Sequence, residues 1–305
     1  MGYDIIGDIH GYAGALRALL RKMGYQERQG VWQHPGRQAI FVGDLVDRGP
    51  EQLETIQIAR GMVESGAALA VMGNHEFNAL AWDTEDHDRP GEYLRPHNDK
   101  NHRQHQVFLA ATRDKPDERR SILNWFMELP LWLELPGLRA VHACWHPKYM
   151  EFLKPKLKPG NRIDTELLRA ASRRGSPEHQ AIEAILKGPE VKLPNGVEFR
   201  TGDDLRKEAR TRWWDADAVT LRQTAMVDSK TAPMLPDVPV SPELRFGYAG
   251  DRPVFFGHYW MKGTPKLLAP RVACLDYSVG HGEPLVAYRW DGEQDLDEKH
   301  FVTTE

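Results

Sequence analysis

Three short runs of the chain place glycine beside side chains that bind metal ions. They are Gly-Asp-Ile-His-Gly at residues 7–11, Gly-Asp-Leu-Val-Asp-Arg-Gly at residues 43–49 and Gly-Asn-His-Glu at residues 73–76. Each run follows a strongly apolar stretch, so we predict that it begins where a buried strand ends. Carboxylate, imidazole and amide groups are ordinary ligands of divalent cations. The pattern therefore predicts a metal site along one edge of a sheet.

The candidate ligands in these runs suit hydrolysis by two metal ions. That chemistry needs oxygen and nitrogen ligands for two cations about 3.5–4 Å apart, with one ligand shared between them. Asp8 and His10 are separated by one residue, so an extended segment can aim both at one ion. Asp44 ends the next predicted strand and is the natural bridging carboxylate. Asn74 adds a neutral oxygen at the end of the third.

Two later histidines stand in the same context. His142 follows the apolar residues 138–141, and His258 ends the apolar run that begins at residue 253. A two-metal centre still needs two nitrogen ligands after the first three runs, and these histidines would supply them.

The elements that must position these residues alternate at the start of the chain. We predict strands over residues 3–7, 38–42 and 67–72, with helices over residues 12–23 and 51–63 between them. This order predicts a parallel region with its ligands at the carboxyl ends of the strands. Further strands are predicted over residues 131–134, 138–142, 253–256, 271–275 and 285–290.

Two stretches interrupt this pattern. Residues 83–117 are polar and rich in His, Arg, Asp and Pro, and we interpret them as an insertion beside the site with a short helix over 104–112. Residues 147–245 show scattered helical signals and Pro-rich connectors, typical of a cap-like insertion. The whole chain, residues 1–305, is therefore interpreted as one domain that carries both insertions.

In order and context, the five ligand-bearing segments resemble the motifs of the phosphoprotein-phosphatase branch of the calcineurin-like metallophosphoesterases, including bacterial serine/threonine phosphatases and diadenosine tetraphosphatases. The resemblance implies a four-layer α/β sandwich, with two mixed sheets flanked by helices and a partly helical insertion. It also implies a first ion held by Asp8, His10 and Asp44. The second ion would be held by Asp44, Asn74, His142 and His258.

The same resemblance assigns roles in catalysis. The matching histidine of the family is the general acid on the leaving oxygen, which implies this role for His75. Asp47 would orient His75 through a hydrogen bond and keep it protonated. Arg48 offers a planar fork for phosphate oxygens.

The sequence departs from the family pattern just before the third motif. Protein phosphatases of this branch usually carry arginine there, and this chain has Met72. Symmetrical dinucleoside tetraphosphatases also lack that arginine, but they typically end the motif in Asp, where this chain has Glu76. Arg212 is a candidate for the second phosphate-binding guanidinium. Trp260 lies two residues after His258, and we expect it either to line the pocket or to pack in the core.

Four histidines in the polar insertion invite a second metal hypothesis. They are His87, His97, His102 and His105. Their spacing is irregular and no cysteine accompanies them, which favours a solvated polar loop over a zinc site. A role in holding substrate, with Arg95 among the cations, is the alternative.

Composition excludes several classes of protein. The formal net charge of -4 over 305 residues provides no broad basic surface for nucleic acid. Only two cysteines are present, which favours a reducing compartment over a disulfide scaffold. We find no secretory signal pattern and no apolar run of about 18 residues, so we expect a cytoplasmic protein that does not bind membranes.

These observations lead to one main functional hypothesis and two alternatives. The main one is a hydrolase of phosphate monoesters, such as phosphoserine and phosphothreonine proteins, with two divalent ions; Mn²⁺ is expected first, with Fe/Zn or Mg²⁺ open. The first alternative is a symmetrical dinucleoside tetraphosphate (Ap4A) hydrolase. The second is a catalytically silent metal-binding module that regulates or binds nucleic acid.

Overall fold

The computed structural model describes residues 2–201, 204–244 and 246–304. Residues 202, 203 and 245 of the predicted cap-like insertion lie outside this description, as do both terminal residues. The strands are β1 Gly2–Ile6, β2 Gln26–Arg28, β3 Val31–Gln33, β4 Arg37–Phe41, β5 Ala68–Ala70, β6 Trp132–Glu134, β7 Arg139–Val141, β8 Glu190–Lys192, β9 Phe199–Thr201, β10 Asp204–Arg206, β11 Glu208–Arg210, β12 Val254–Phe256, β13 Val272–Cys274, β14 Val286–Trp290 and β15 Phe301–Thr303. The helices are α1 Ala13–Lys22, α2 Gln52–Glu64, α3 Asn74–Asp83, α4 Asp99–Thr112, α5 Pro116–Met127, α6 Pro147–Leu153, α7 Thr165–Ser172, α8 Pro177–Lys187 and α9 Leu221–Thr224.

Two mixed sheets organise the molecule. The first has the order β15-β14-β1-β4-β5, with β1, β4 and β5 parallel and the other two strands paired antiparallel. The second has the order β13-β12-β7-β6, in which only the β6–β7 pair is antiparallel. The α/β class with two mixed sheets and flanking helices is therefore confirmed, and the first three strands of the parallel region are those that the sequence predicts.

Side chains that alternate between the two faces of each strand form the hydrophobic cores on either side of the first sheet. Ile5 and Ile40 pair in register on β1 and β4, and they pack with Phe255 of β12 in the core between the two sheets. Ile6 and Phe41 follow them and belong to the larger core that includes the helices. Side chains alternate between the faces of a strand, so each apolar run serves two cores at once.

The helix that follows the third motif was not predicted. α3 begins at Asn74, directly after the Gly73 turn. Eight of its ten residues are buried, so its sequence shows none of the amphipathic periodicity on which helix prediction depends.

The polar insertion is more ordered than the sequence predicts. α4 begins at Asp99, where the Asn98 side chain accepts a hydrogen bond from the N–H of Asn101, and it includes the predicted short helix. His87, His97 and His102 are exposed, in agreement with a solvated segment. His105 is fully buried, so the prediction of a solvated loop is wrong at this residue.

The predicted cap-like stretch contains helices α6 to α9 and two short antiparallel strand pairs. Leu193, Leu221 and Leu235 belong to a small core of their own in this region. Within the described residues, we find no helix with the length and apolar character needed to span a membrane.

Candidate metal centre

The three motif loops meet at the carboxyl edge of the first sheet and are joined through their backbones. The carbonyl of Asp44 accepts hydrogen bonds from the N–H groups of Ile9 (3.1 Å) and His10 (2.8 Å). Gly43 adopts a φ of 97°, which favours glycine, and a side chain there would collide with the backbone of Gly73. The glycines beside the candidate ligands thus allow the loops to pack closely.

Strained backbone is concentrated at this edge. Among the described residues, nine other than glycine have a positive φ, and six of them belong to the motifs or follow the last ligand. The six are His10, Asp44, Asp47, Arg48, His258 and Trp260. Such conformations are unfavourable for residues with a side chain and are typical of functional sites.

Asp44 lies between two groups of possible metal donors. Its Oδ2 is 3.6 Å from Nε2 of His10, and its Oδ1 is 3.3 Å from Nε2 of His142. Each group has three donor atoms within 4.8 Å of one another: His10, Asp44 and His75 in one, Asp44, His142 and His258 in the other. One carboxylate with an oxygen turned to each group has the arrangement expected of a bridging ligand.

Backbone carbonyls orient the imidazoles. Nδ1 of His10 lies 3.0 Å from the carbonyl of Val46, and Nδ1 of His142 lies 2.7 Å from that of Val42. Both rings thus donate through Nδ1 and present Nε2 to the centre, which is how outer hydrogen bonds orient metal-binding histidines. Nε2 of His142 also lies 3.0 Å from Oδ1 of Asn74, which places this predicted ligand at the same group.

The second sheet brings the last ligand against Asp8. Oδ2 of Asp8 accepts a hydrogen bond of 3.0 Å from the N–H of His258. A side chain at Gly257 would collide with Oδ1 of Asp8, so glycine is required for this approach. All six predicted metal ligands are therefore found at one edge of the two sheets.

Several polar atoms of these side chains are buried without a partner in the described chain. They are Oδ1 of Asp8, Nε2 of His10 and both ring nitrogens of His258. Buried polar atoms are nearly always hydrogen-bonded, so a concentration of unpaired polar atoms indicates a ligand. The oxygen and nitrogen donors fit divalent cations such as Mn²⁺, Fe²⁺ or Zn²⁺.

The electrostatics agree with such a site. Burial raises the pKa of Asp8 above its ordinary value, and the Asp276 and Asp44 carboxylates raise it further. Burial lowers the pKa of His10 to about 3, so this ring is neutral near pH 7, the form that binds metals. Buried like charges repel one another unless a cation lies among them.

Glu76 has a structural role. Its carboxylate accepts hydrogen bonds of 2.9 Å each from the N–H groups of Gly73, Asp44 and Leu45. The last residue of the third motif thus ties the second motif loop to the start of α3.

Asp47 and His75 form a buried pair beside the centre. Oδ2 of Asp47 lies 2.5 Å from Nδ1 of His75. Burial opposes the charged imidazolium, but the Asp44 carboxylate and the hydrogen bond to Asp47 raise the pKa of His75 above its ordinary value. Burial likewise opposes the Asp47 carboxylate, but His105 and His75 lower the pKa of Asp47. The pair therefore keeps a proton on His75, with Nε2 3.8 Å from Oδ2 of Asp44.

Two guanidinium groups share one tryptophan ring at the rim of the site. The guanidinium carbon of Arg48 is 4.5 Å from the ring centre of Trp260, and that of Arg210 is 5.6 Å from it. Arg210 also donates a hydrogen bond of 2.7 Å to the carbonyl of His258. Arg212 has an exposed side chain. Met72 is buried in the large core.

Sequence reasoning missed three residues of this region. Arg210 lies at the end of β11, a strand that was not predicted. Asp276 follows an apolar run, as the predicted ligands do, so the sequence did carry a signal for it. Its carboxylate accepts a hydrogen bond of 2.8 Å from the N–H of Trp260. His105 donates to Asp47, and its helical sequence context carries no sign of this.

Comparison with known proteins identifies the class. Residues 1–164, more than half of the chain, match the sequence profile of the family described as calcineurin-like phosphoesterase. The chain belongs to this family, which confirms the resemblance that its motifs carry.

Particular relatives are similar over part of the chain. The bis(5'-nucleosyl)-tetraphosphatase PrpE [asymmetrical] of Bacillus subtilis strain 168 and that of Halalkalibacterium halodurans are each 49% identical to it over 76 residues. That segment is 25% of this chain and 31% of each relative, so the chain spans about a third of the length of the curated relatives it matches. A cold-active protein-tyrosine phosphatase from a psychrophilic Shewanella species has a similar fold, with a TM-score of 0.51 and 16% identity over 100% of this chain and 80% of that one.

Proposed function

We propose that this protein hydrolyses phosphate esters with two divalent metal ions held on either side of Asp44. The observation that carries the proposal is the position of the Asp44 carboxylate, whose two oxygens face separate donor groups. The unpaired buried atoms of Asp8, His10 and His258 lie in the same centre.

The resemblance of the motifs to those of the family supplies an assignment of ligands. Asp8, His10 and Asp44 would hold one ion, and Asp44, Asn74, His142 and His258 the other. Mn²⁺ is the ion to add first, with Fe/Zn or Mg²⁺ as alternatives. When bound, such ions lower the pKa of a coordinated water and polarise the phosphoryl oxygens.

The protein's own residues supply the proton and the phosphate contacts. His75 carries its proton on Nδ1 toward Asp47, so its Nε2–H is the group available to donate to the leaving oxygen. Arg48 and Arg210 would hold the phosphoryl oxygens, with Trp260 between them limiting their movement. Arg210 takes the role first predicted for Arg212, because the latter is exposed.

The arrangement of the guanidinium groups favours phosphate monoesters as substrates. Both guanidinium groups lie against the Trp260 ring, and two guanidinium groups at one place suit the oxygens of a single phosphoryl group. Phosphoserine and phosphothreonine peptides are the first substrates to test.

A second candidate activity is hydrolysis of dinucleoside tetraphosphates. The partial similarity to bis(5'-nucleosyl)-tetraphosphatases supports it, as does the burial of Met72, which cannot provide the usual additional phosphate contact. The products separate the two modes of cleavage, because symmetrical cleavage of Ap4A yields two ADP and asymmetrical cleavage yields ATP and AMP.

One experiment tests the function and its residues. The Mn²⁺-loaded protein is incubated with p-nitrophenyl phosphate, a phosphopeptide and Ap4A, and the metal content of each variant is measured. Asp44→Asn is expected to lose both ions and activity. His75→Ala is expected to retain both ions but to lose about 10²–10⁴-fold in kcat with the phosphopeptide, the usual contribution of a general acid, and less with p-nitrophenyl phosphate. Exposed Asp217→Asn is the matched control for the amide substitution.

The outcomes distinguish the alternatives. Turnover by Asp44→Asn at the rate of the unmodified protein would contradict the metal-centre proposal. Loss of one ion in His75→Ala would make His75 a ligand rather than the acid. A metal-loaded protein that hydrolyses none of the three substrates would support the silent-module hypothesis.

A further inference from the structure

Both oxygens of the Asp47 carboxylate are engaged by histidine rings. Oδ2 lies 2.5 Å from Nδ1 of His75, and Oδ1 lies 2.7 Å from Nδ1 of His105. All three side chains are buried in a region that excludes most water. The pair beside the metal centre is therefore a chain of three residues.

The third member comes from the polar insertion. His105 lies on α4, 58 residues along the chain from Asp47. Its ring stacks on Phe108 at 4.9 Å, and Phe108 is fully buried in the large core. Trp82 of α3 contacts the ring from a second direction at 5.9 Å. Packing thus fixes the imidazole in the one orientation that reaches Asp47.

The hydrogen-bond network assigns the protons along this chain. An ionised carboxylate only accepts hydrogen bonds, so both imidazoles donate through Nδ1. Nε2 of His105 is buried without a partner, so a charged ring would leave an unsatisfied N–H there. Nε2 of His75 instead faces the centre near Asp44. The transferable proton therefore belongs to His75, and His105 acts through Asp47.

We propose that His105 is a positioning residue for hydrolysis, which holds the Asp47 carboxylate in the orientation that aims the His75 proton at the leaving group. This inference rests on the function proposed above. It gives the polar insertion a part in catalysis, through the contact of His105 with Asp47.

The backbone around Asp47 shows why a side-chain contact is needed. Asp47 has a φ of 69°, and its N–H donates to Oε1 of Gln52 at 2.7 Å. Gln52 thus restrains the main chain of the strained loop. Among the described residues, the hydrogen bonds to the Asp47 carboxylate come from the two histidines, which restrain its rotation about the side-chain bonds.

The charges facing this group come from several elements. His75 of α3 and His105 of α4 contact Asp47 directly. Arg95, in the loop before α4, is close enough for the Asp47 carboxylate to raise the pKa of its guanidinium, although burial lowers that pKa more. Arg48 follows Asp47 in the same loop and opposes protonation of His75.

The test compares three variants on two aryl phosphates. His105→Phe keeps a ring but removes the donor, and His105→Asn keeps an N–H close to the position of Nδ1. His102→Phe is the matched control, because His102 is exposed on the same helix. Phenyl phosphate needs a proton on its leaving oxygen, whereas p-nitrophenolate leaves readily without one.

The expected result is a loss that depends on the leaving group. For His105→Phe we expect kcat with phenyl phosphate to fall about ten- to a hundredfold, the range for removal of an outer hydrogen-bond partner. The fall with p-nitrophenyl phosphate should be clearly smaller. His105→Asn should restore most of the loss, and His102→Phe should match the unmodified protein. Metal content and thermal midpoint are measured for every variant.

A second measurement needs no turnover. In the metal-free protein, the Nδ1 proton of His105 is expected as a downfield proton resonance in ¹⁵N-labelled NMR spectra, absent from His105→Phe. If His105→Phe does not fold, His105→Gln is used in its place. The glutamine amide lies one carbon further from the backbone than the asparagine amide, so His105→Gln should have a lower kcat with phenyl phosphate than His105→Asn.

Three results would overturn the inference: equal losses on both aryl phosphates, no advantage of asparagine over phenylalanine, or full activity in His105→Phe. Failure of the proposed function looks different, because the unmodified metal-loaded protein would then hydrolyse neither aryl phosphate, nor the phosphopeptide, nor Ap4A.

Discussion

Asp44 and Asp47 lie three residues apart in one loop, yet their carboxylates serve different neighbours. Asp44 contacts His10 and His142 and lies between the donor groups. Asp47 contacts His105 and also His75, the one member of the first donor group that lies near both carboxylates. Both residues have a positive φ, a conformation that is typical of functional sites. Under the function proposed above, one short motif would serve both metal binding and proton donation.

The shifted pKa values of Asp47 and His75 predict how the rate of hydrolysis depends on pH. In Asp47→Asn the pKa of His75 should fall, since the carboxylate that favours its charged form is gone. The alkaline decline in kcat should then move to lower pH. NMR titration of the His75 ring in the metal-free protein measures the shift, with Asp217→Asn as the control. An unchanged His75 titration would contradict the assignment of the pair.

The same pair should stabilise the fold within a defined pH window. The lowered pKa of Asp47 adds stability above its unfolded value of about 3.9, and this is lost as the pH falls through the folded pKa. The raised pKa of His75 adds stability below its unfolded value of about 6.5, lost as the pH rises through the folded pKa. The stability difference between the unmodified protein and Asp47→Asn should therefore be largest between about pH 4 and 6.5. Urea unfolding across this range measures it.

At the level of elements, loops carry the candidate ligands apart from Asn74, which is the first residue of α3. The strands end just before each motif, and backbone hydrogen bonds between the motif loops replace the sheet ladder there. α4 also contributes to the site, because this helix brings His105 into contact with Asp47. The start of this helix therefore matters for function as well as for stability.

Removing the cap of α4 tests this dependence. The Asn98 side chain accepts from the N–H of Asn101 at 2.9 Å, and Asn98→Ala should lower the free energy of unfolding by about 1 kcal/mol. Fraying of α4 should also lower the hydrolysis rate with phenyl phosphate. The control is Asp164→Ala, which removes the equivalent cap of α7, a 2.8 Å bond from the N–H of Leu167. It should cost similar stability without the loss of rate; equal rate losses in both variants would contradict a specific role for α4.

At the scale of the whole molecule, a buried network of ion pairs lies at the end of the first sheet opposite to the candidate metal centre. Asp4 is fully buried in β1, where it accepts from Arg37 at 2.8 Å and Arg289 at 3.1 Å. Arg37 also donates to the carbonyl of Tyr3, so β1, β4 and β14 are tied together away from the metal centre. This network contributes to the fold without contacting any candidate ligand.

Arg37→Met should lower the stability of the fold without changing the rate of hydrolysis. It leaves the buried Asp4 charge with one partner fewer, so the free energy of unfolding should fall by about 2–3 kcal/mol. The rate per folded molecule should not change. Arg271→Met, at a more exposed ion pair with Asp295, should cost less than about 1 kcal/mol. Denaturant unfolding and the phosphatase assay check both statements, and a rate loss in Arg37→Met below its unfolding midpoint would refute the separation.

Much of the architecture was predictable because local signals agree with it. The strand–helix alternation of the first 80 residues follows from apolar periodicity, and the predicted β1, β4 and α1 are found within a few residues of their bounds. α3 was missed because burial on most of its faces removes the helical period. β11, which carries Arg210, was missed because two charged residues, one on either side of an alanine, give no strand signal.

The sequence by itself was enough to predict the candidate metal centre. Each ligand directly follows an apolar strand, and parallel strands bring their carboxyl ends to a common edge, so local pattern was enough to group Asp8, Asp44 and Asn74. Only the tertiary structure decided what surrounds them. His105 and Arg210 reach the site from distant segments, and burial by partners tens of residues away leaves no trace in local periodicity. The candidate ligands are thus encoded locally, whereas the positions of the residues proposed to orient the proton and the phosphate depend on packing between elements.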